Sequence, residues 1–239
     1  MQTMFIDIET IPTQRPEIRE RFRGAAAVAH DAKLASIEKQ YKKQETIDKH
    51  RAELGEADDG DAEWRKTALN GATGEIVCIA WAMEVDPVES VARLPESITE
   101  ADLLREFFAR MPPDTAVILN WVGHNALNFD IRFLMQRCMV CDVKPAITIP
   151  INSGDAQRRV YDTMQEWCGR YGNDRFISLD ALADALYVPC AKDGVSGADV
   201  WGLVEAGEIE KVRKYCESDV ETVRGIYDAM NWQRNVTDF

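Results

Sequence analysis

Two acidic side chains lie in an apolar run near the start of the chain. Residues 5–9 read FIDIE, and this alternation is typical of a β-strand, whose side chains point alternately to its two faces. Asp7 and Glu9 would therefore share one face, about 7 Å apart along the strand. Two carboxylates at this spacing repel each other unless a cation lies between them. The pair indicates a divalent-metal site, although an edge strand with a solvated acidic face has the same pattern.

A second acidic motif follows an apolar segment, at the start of a predicted helix. Residues 123–130 read GHNALNFD. Asn125 or Asn128 can cap the helix, and Asp130 would lie in its first turn, where the helix dipole favours a negative charge. An ordinary helix start with an acid in its first turn is the alternative interpretation.

A tyrosine and an aspartate have helical spacing near the end of the chain. Tyr215 and Asp219 are four positions apart in a predicted helix over 209–230, so they share one helix face. A phenolic hydroxyl and a carboxylate on one face could bind a metal ion and a water molecule together. A half-buried tyrosine beside a surface aspartate would look the same, so this pattern is weak when it is taken alone.

The apolar pattern predicts the elements that position these residues. Strands are predicted at 4–8, 75–83, 88–94, 115–123 and 158–164, and segment 147–151 is ambiguous. Helices are predicted at 99–110, from about 128 to 138, and at 178–186, 198–205 and 209–230. This order predicts an α/β fold with a mixed β-sheet flanked by helices.

Residues 14–70 differ from the rest of the chain and are predicted to be a charged helical insertion within a single domain over 1–239. Residues 14–51 contain ten Lys or Arg against six Asp or Glu, whereas the whole chain has a net charge of −13. This basic segment could clamp a single strand of nucleic acid. A solvated helical face and a surface for a protein partner are the alternatives.

Composition excludes several classes of protein. The chain has 239 residues, 46% of them hydrophobic, which is ordinary for a soluble globular protein. Its acidity argues against a globally basic nucleic-acid coat, and its apolar stretches are too short to cross a membrane. The N-terminus does not resemble a secretory signal, and the six scattered cysteines are expected to be reduced thiols, so a cytoplasmic location is predicted. The CxxC formed by Cys138 and Cys141 is predicted to pack in a helix rather than bind zinc.

Taken together and in this order, the three acidic patterns resemble the motifs of the DEDDy 3′–5′ exonucleases. These enzymes belong to the ribonuclease H-like superfamily and include the proofreading domains of family A and family B DNA polymerases. The likeness is greatest to predicted stand-alone exonucleases related to the family B proofreading domain. The resemblance covers residues 1–13 and about 71–231, and further stretches carry it: GEIVCIA at 74–80, VYDTM at 160–164, SLDALADAL at 178–186 and KDGVSGADVW at 192–201.

The last motif also distinguishes between subfamilies. The DEDDh branch has a histidine five residues before the final aspartate, and Lys214 occupies that position here. Tyr215 therefore indicates the DEDDy branch. His124 lies in a different motif and is predicted to be a structural residue or a minor contact.

The resemblance implies a two-metal hydrolysis of phosphodiester bonds. Hard oxygen ligands favour two Mg²⁺ or Mn²⁺ ions. By this resemblance Asp7 would bridge both ions, Glu9 and Asp219 would complete the site on the nucleophile side, and Asp130 would hold the second ion. Tyr215 would orient the attacking water, because an ordinary tyrosine is a poor base at neutral pH.

The same resemblance suggests the substrate and its contacts. Thr10, Ile11, Asn125 and Phe129 are predicted to contact the terminal nucleotides. Single-stranded DNA is the favoured substrate, in repair or replication, and no membrane partner is expected. A protein partner is possible, but the sequence does not identify one. An exoribonuclease with the same chemistry and a catalytically idle nucleic-acid-binding module are the alternatives.

Overall fold

The computed structural model describes residues 1–56, 59–113, 117–152, 154, 158–169, 176–190 and 194–233. The chain divides into two compact units. The sheet unit combines residues 1–11 with 75–239, and the helical unit spans residues 12–74. Thr115 and Ala116 of the predicted fourth strand lie outside the described residues, as do Lys192 and Asp193 of the KDGVSGADVW stretch.

A mixed sheet forms the centre of the sheet unit. Its strands in the described residues are β1 (Gln2–Ile11), β2 (Glu75–Met83), β3 (Glu89–Ala92), β4 (Leu119–Gly123) and β5 (Val160–Asp162). They lie side by side in the order β3-β2-β1-β4-β5. Strand β1 pairs antiparallel with β2 and parallel with β4, while β2–β3 is antiparallel and β4–β5 is parallel. The predicted mixed α/β fold is confirmed.

The five helices predicted in the sheet unit are present, with small differences at their ends, and the short helix after β5 was not predicted. Among the described residues the sheet unit contains α4 (Glu100–Arg110), α5 (Asp130–Val140), α6 (Thr163–Cys168), α7 (Leu179–Ala185), α8 (Val200–Glu205) and α9 (Ile209–Met230). The helical unit contains α1 (Pro16–Gln40), α2 (Gln44–Leu54), α3 (Asp61–Arg65) and a 3₁₀ turn at Lys66–Leu69. None of the helices in the described residues is both long enough and apolar enough to cross a membrane.

Strand β1 separates two hydrophobic cores because its side chains alternate between the faces of the sheet. Ile6 and Ile8 belong to the core that also contains residues of α4 and α5, including Phe107. Phe5 belongs to the opposite core, which also contains Val220 of α9. The alternation therefore places Asp7 and Glu9 on the same face as Phe5, towards α9. Trp81 and Trp121 are almost completely buried in the first core.

Helix α9 is amphipathic, and its buried residues recur at helical spacing. Val212, Cys216, Val220 and Val223 are fully or almost fully buried, three or four positions apart, and they form one apolar stripe. This stripe seats the helix against the sheet. Tyr215 and Asp219, one position before Cys216 and Val220, lie beside the stripe and are half-buried.

The strand predicted over 158–164 is shorter in the structure. The predicted strand at 158–164 ends at Asp162, because its carboxylate accepts hydrogen bonds from the backbone N–H groups of Met164 and Gln165 and caps α6. The ambiguous segment 147–151 forms no strand in the described residues. Ile147 and Ile149 are nevertheless buried in the first core.

The helical unit has a small buried centre. Trp64 is 1% exposed, its indole N–H donates to the carbonyl of Thr13, and the Arg19 guanidinium lies 4.0 Å from its ring centroid. The backbone N–H of Thr13 donates to the Thr67 hydroxyl at 3.0 Å. In contrast, neither α1 nor α2 contains a buried residue. These two helices are therefore not held in place by an extensive core of their own.

Candidate active site

The carboxylates of β1 lie at the centre of the sheet. Asp7 is opposite Ala80 of β2, and Glu9 is opposite Cys78. The pairing register shifts between Glu9 and Thr10, so the strand is irregular directly after the acidic pair. Glu9 is 8% exposed, and Asp7 is half-buried. The structure thus holds both acids on an interior strand rather than on a solvated edge, which excludes the alternative interpretation of this pattern.

Asp130 reaches the same place from α5, where it is the first residue of the helix. Its Oδ1 accepts a hydrogen bond of 3.2 Å from the backbone N–H of Ile8, the residue between Asp7 and Glu9. The side chain is well buried, with 5% exposure. The predicted capping by asparagine is wrong, because Phe129 occupies the cap position and makes no side-chain cap hydrogen bond.

A buried carboxylate that the sequence analysis did not single out shapes the loop before α5. Asp162, at the end of β5, is 1% exposed and accepts hydrogen bonds of 3.0 Å from the backbone N–H groups of Asn125 and Leu127. Asn125 has φ of +60°, in the left-handed region that asparagine tolerates better than most residues. These contacts fix the path of the chain from β4 to Asp130. The position of Asp162 directly after an apolar strand was the available sequence signal.

Helix α9 brings three side chains to the acidic pair. The Tyr215 hydroxyl is close enough to the Asp219 carboxylate to lower the pKa of that carboxyl. The Cys216 sulfur lies 3.3 Å from Oδ2 of Asp7 and 3.5 Å from the Asp7 carbonyl oxygen. The side chain of Cys78 on β2 neighbours Cys216. The thiol was missed from the sequence, although it stands between the two residues of the third motif.

The four carboxylates share a site that disfavours their negative charge. Burial, with a contribution from Glu9, raises the pKa of Asp7 well above its ordinary value. Burial, with a contribution from Asp219, does the same to the pKa of Glu9. Burial raises the pKa of Asp130 to about 7 and that of Asp219 to about 6. The structure therefore concentrates acidic groups where water alone stabilises them poorly.

Within the part of the chain that the structure describes, this site has no basic partner. Among the residues that the structure describes, no Lys or Arg forms an ion pair with Asp7, Glu9, Asp130 or Asp219. Ligand atoms of Asp7, Glu9 and Cys216 lie within 4.8 Å of one another. Because carboxylate oxygens are hard ligands and no described Lys or Arg neutralises them, the site fits a divalent cation such as Mg²⁺ or Mn²⁺.

Tyr215 is a hydrogen-bond donor at this site. Burial, together with the negative charges of Asp219, Glu9 and Asp7, raises the pKa of Tyr215 far above its ordinary value. The phenol therefore stays protonated across the physiological pH range, so it can orient a polar group but cannot act as a base in its resting state.

The residues predicted to contact a terminal nucleotide differ in exposure. Thr10, Asn125 and Phe129 are half-buried, and Oδ1 of Asn125 accepts a hydrogen bond from the Asn128 amide at 3.0 Å. Ile11, in contrast, is fully buried in the second core. Its side chain presents no surface to a ligand, so the prediction of a substrate contact is not supported for Ile11.

The structural interpretation of His124 agrees with its contacts. One ring nitrogen lies 2.9 Å from the Thr163 hydroxyl, and the other lies 2.8 Å from the carbonyl oxygen of Ile177. Burial lowers the pKa of His124, which favours the neutral ring. The histidine thus links the loop before α5 to the segments that begin α6 and α7.

The cysteines are free thiols, as predicted. Cys138 is buried on α5, and the Cys141 sulfur lies 3.3 Å from Oε2 of Glu100. Glu100 also forms a buried ion pair with Arg137. The CxxC sequence therefore has packing and polar contacts at the end of α5, consistent with its predicted role in helix packing.

A comparison with known families assigns the chain. A family model described as a predicted 3′–5′ exonuclease related to the exonuclease domain of PolB matches residues 69–232. A search of curated proteins found no match. The matched range contains Asp130, Tyr215 and Asp219, and it begins after β1, which contributes Asp7 and Glu9. Because the match spans more than half of the 239 residues, the chain belongs to the family of predicted 3′–5′ exonucleases related to the exonuclease domain of PolB.

Proposed function

We propose that this chain is a metal-dependent 3′–5′ exonuclease that hydrolyses the phosphodiester bonds of single-stranded DNA. The observation that carries the proposal is the convergence of four carboxylates from β1, α5 and α9 without a basic partner in the described residues. Such a site attracts divalent cations, which nucleases use to cleave phosphodiesters. The family supports the direction of cleavage.

Asp7, Glu9, Asp130 and Asp219 would hold two Mg²⁺ or Mn²⁺ ions. When bound, the ions neutralise the phosphate and lower the pKa of a bound water. The charges of Glu9, Asp130 and Asp219 all raise the pKa of Asp7. Asp7 therefore lies within electrostatic reach of the other three carboxylates, which supports its place among the residues that would hold the ions.

Tyr215 would position the attacking water. Its hydroxyl lies near Asp219, so the phenol is placed beside one of the proposed metal-binding carboxylates. Because the phenol remains protonated, we propose that it orients the water, while the proton leaves to solvent or to a carboxylate. Thr10, Asn125 and Phe129, which retain exposed surface, are proposed to contact the terminal nucleotides.

A nuclease assay tests this function directly. Single-stranded DNA and RNA of one sequence, each labelled at the 5′ end, are incubated with the protein in Mg²⁺, Mn²⁺ or EDTA. We expect a ladder of products that shortens from the 3′ end, needs the metal ion and forms faster on DNA. Faster cleavage of RNA would show that RNA is the preferred substrate. The proposed metal-dependent hydrolysis would be unchanged.

Two variants make the assay specific to the site. Asp7→Asn removes one charge from the carboxylate group and is expected to abolish cleavage. Glu96→Gln removes one charge from an exposed position and is expected to cleave like the original protein. Metal-dependent cleavage that survives Asp7→Asn would point to a contaminating nuclease. Folded protein without cleavage of either polymer would favour a binding module instead.

A further inference from the structure

The turn between α1 and α2 concentrates exposed positive charge. Residues 39–44 read KQYKKQ, with three lysines and no acid. Lys39 lies in the last turn of the 25-residue helix α1, and Lys42 and Lys43 directly precede the 11-residue helix α2. All three lysines are exposed. We refer to residues 39–44 as the basic turn.

Several other cations of these two helices form ion pairs with carboxylates. Arg23 pairs with Glu20, Arg51 with Glu38, and Lys49 with Glu53. Within the part of the chain that the structure describes, the three lysines of the basic turn have no such carboxylate partner. Their charge is therefore available to an external anion.

An aromatic stack lies in the middle of these lysines. The rings of Tyr41 and His50 are 4.3 Å apart between centroids, with 19° between their planes. Both residues keep part of their surface exposed. Surfaces that bind single-stranded nucleic acids combine cations for the phosphates with flat aromatic faces for the bases, and the basic turn offers both within one short segment.

Core packing does not explain this hairpin. Neither α1 nor α2 has a buried residue, so neither helix fills a core. The hairpin instead ends in the basic turn, which is its strongest local concentration of unneutralised charge.

We propose that the basic turn binds the phosphodiester backbone of single-stranded nucleic acid, as a contact surface additional to the carboxylate site. The identity of this polymer rests on the proposed function. The carboxylate site repels phosphates unless bound cations neutralise its charge. The lysines of the basic turn attract phosphates directly. The chain as a whole is acidic, so such a local basic surface would help to retain a polyanion.

Binding of an uncleaved substrate tests this inference. In the full chain with Asp7→Asn, affinity for a labelled single-stranded oligodeoxynucleotide is measured over a range of salt concentrations in Mg²⁺. Combining Lys39→Gln, Lys42→Gln and Lys43→Gln is expected to weaken binding roughly 10- to 100-fold near 0.1 M salt. The slope of log affinity against log salt should flatten by about 2, since each lost phosphate contact on a single strand contributes about 0.7.

A matched triple variant controls for the loss of net charge. Lys66, Arg105 and Arg110 are also exposed, but each pairs with a carboxylate. Changing these three to Gln removes the same charge and is expected to leave affinity and slope nearly unchanged. A basic-turn variant that binds like this control would overturn the inference. Equally strong displacement of the oligonucleotide by polyglutamate would also overturn it, because the surface would then recognise any acidic chain.

Hydrolysis of a small phosphodiester distinguishes failure of this inference from failure of the proposed function. The p-nitrophenyl ester of thymidine 5′-monophosphate is small enough to occupy the carboxylate site alone. In the active chain, the basic-turn variant should hydrolyse it at the original rate. Hydrolysis of the ester with unchanged oligonucleotide binding refutes the inference alone. Loss of oligonucleotide binding in a chain that never hydrolyses the ester refutes the proposed function alone and supports the basic turn.

Discussion

Asp130 and Ile8 are 122 positions apart, and a hydrogen bond of 3.2 Å joins the Asp130 carboxylate to the Ile8 backbone N–H. The bond ties the start of α5 to the point on β1 between Asp7 and Glu9. It holds the Asp130 side chain against the backbone of the first acidic motif. The four carboxylates thus come from three elements, with Asp7 and Glu9 on β1, Asp130 on α5 and Asp219 on α9.

Replacing Asp130 by Asn should distinguish the role of its hydrogen bond to Ile8 from the role of its negative charge. Asn can still accept the Ile8 N–H through its amide oxygen, so Asp130→Asn is expected to fold. It lacks the negative charge that would bind the second ion. The loss of several kcal/mol of transition-state stabilisation is expected to lower the cleavage rate about 100-fold or more. Steady-state cleavage rates in saturating Mn²⁺ measure this. An activity within a few-fold of the original would show that Asp130 is not a metal ligand.

The stability of the metal-free protein should depend on pH through this same group. Burial raises the pKa of Asp130 to about 7 from an ordinary value of 3.8, so ionisation costs stability as pH rises between these values and the cost is complete above pH 7. Asp130→Asn has no such cost. In EDTA it should therefore exceed the original protein in stability by up to about 4 kcal/mol at pH 8, and by less at pH 5.

Urea unfolding at both pH values measures this difference. Adding Mg²⁺ at pH 8 should stabilise the original protein more than Asp130→Asn, because a bound cation offsets the charge cost. A stability difference that is the same at pH 5 and pH 8 would show that Asp130 does not titrate in this range.

Tyr215→Phe should lower the rate without weakening the metal site greatly. The ring remains available for packing, but the hydroxyl beside Asp219 is lost. We expect a decrease in kcat of about 10- to 100-fold, which is typical of a lost positioning hydrogen bond at a reacting centre. The Mn²⁺ concentration needed for half-maximal rate should change little. If Tyr215 were a base instead, the original protein would show a rate increase at the pKa of the phenol that Tyr215→Phe lacks.

Cys216 should act by positioning Asp7. Its sulfur is 3.3 Å from Oδ2 of Asp7 and is fully buried. Cys216→Ala removes the donor and leaves a small void, whereas Cys216→Ser keeps a donor of similar size. We expect the alanine variant to need a higher Mg²⁺ concentration for half-maximal rate than the serine variant.

Cys138→Ala provides the matched control for this comparison, because Cys138 is also buried but lies on α5 in the other core. It should lose stability without a change in the Mg²⁺ requirement. Equal metal requirements in the two Cys216 variants would show that the thiol only fills space.

The local sequence determined the elements and the identity of the acidic residues. Alternation in FIDIE predicted that Asp7 and Glu9 share a face, and the spacing of Tyr215 and Asp219 predicted a shared helix face. Both inferences rest on backbone periodicity, which is a local property. The order of strands and helices likewise predicted the mixed α/β fold, because hydrophobic periodicity reflects which face of an element is buried.

Only the tertiary structure decided how these groups meet. Strand pairing and helix packing join residues that are far apart in sequence, so no local pattern reveals that Asp130 bonds the backbone of β1 or that Cys216 contacts Asp7. The burial of Ile11 likewise depends on the core around α8 and α9, which a short motif cannot show. The raised pKa values arise for the same reason, because desolvation and charge repulsion exist only when the four carboxylates are packed together.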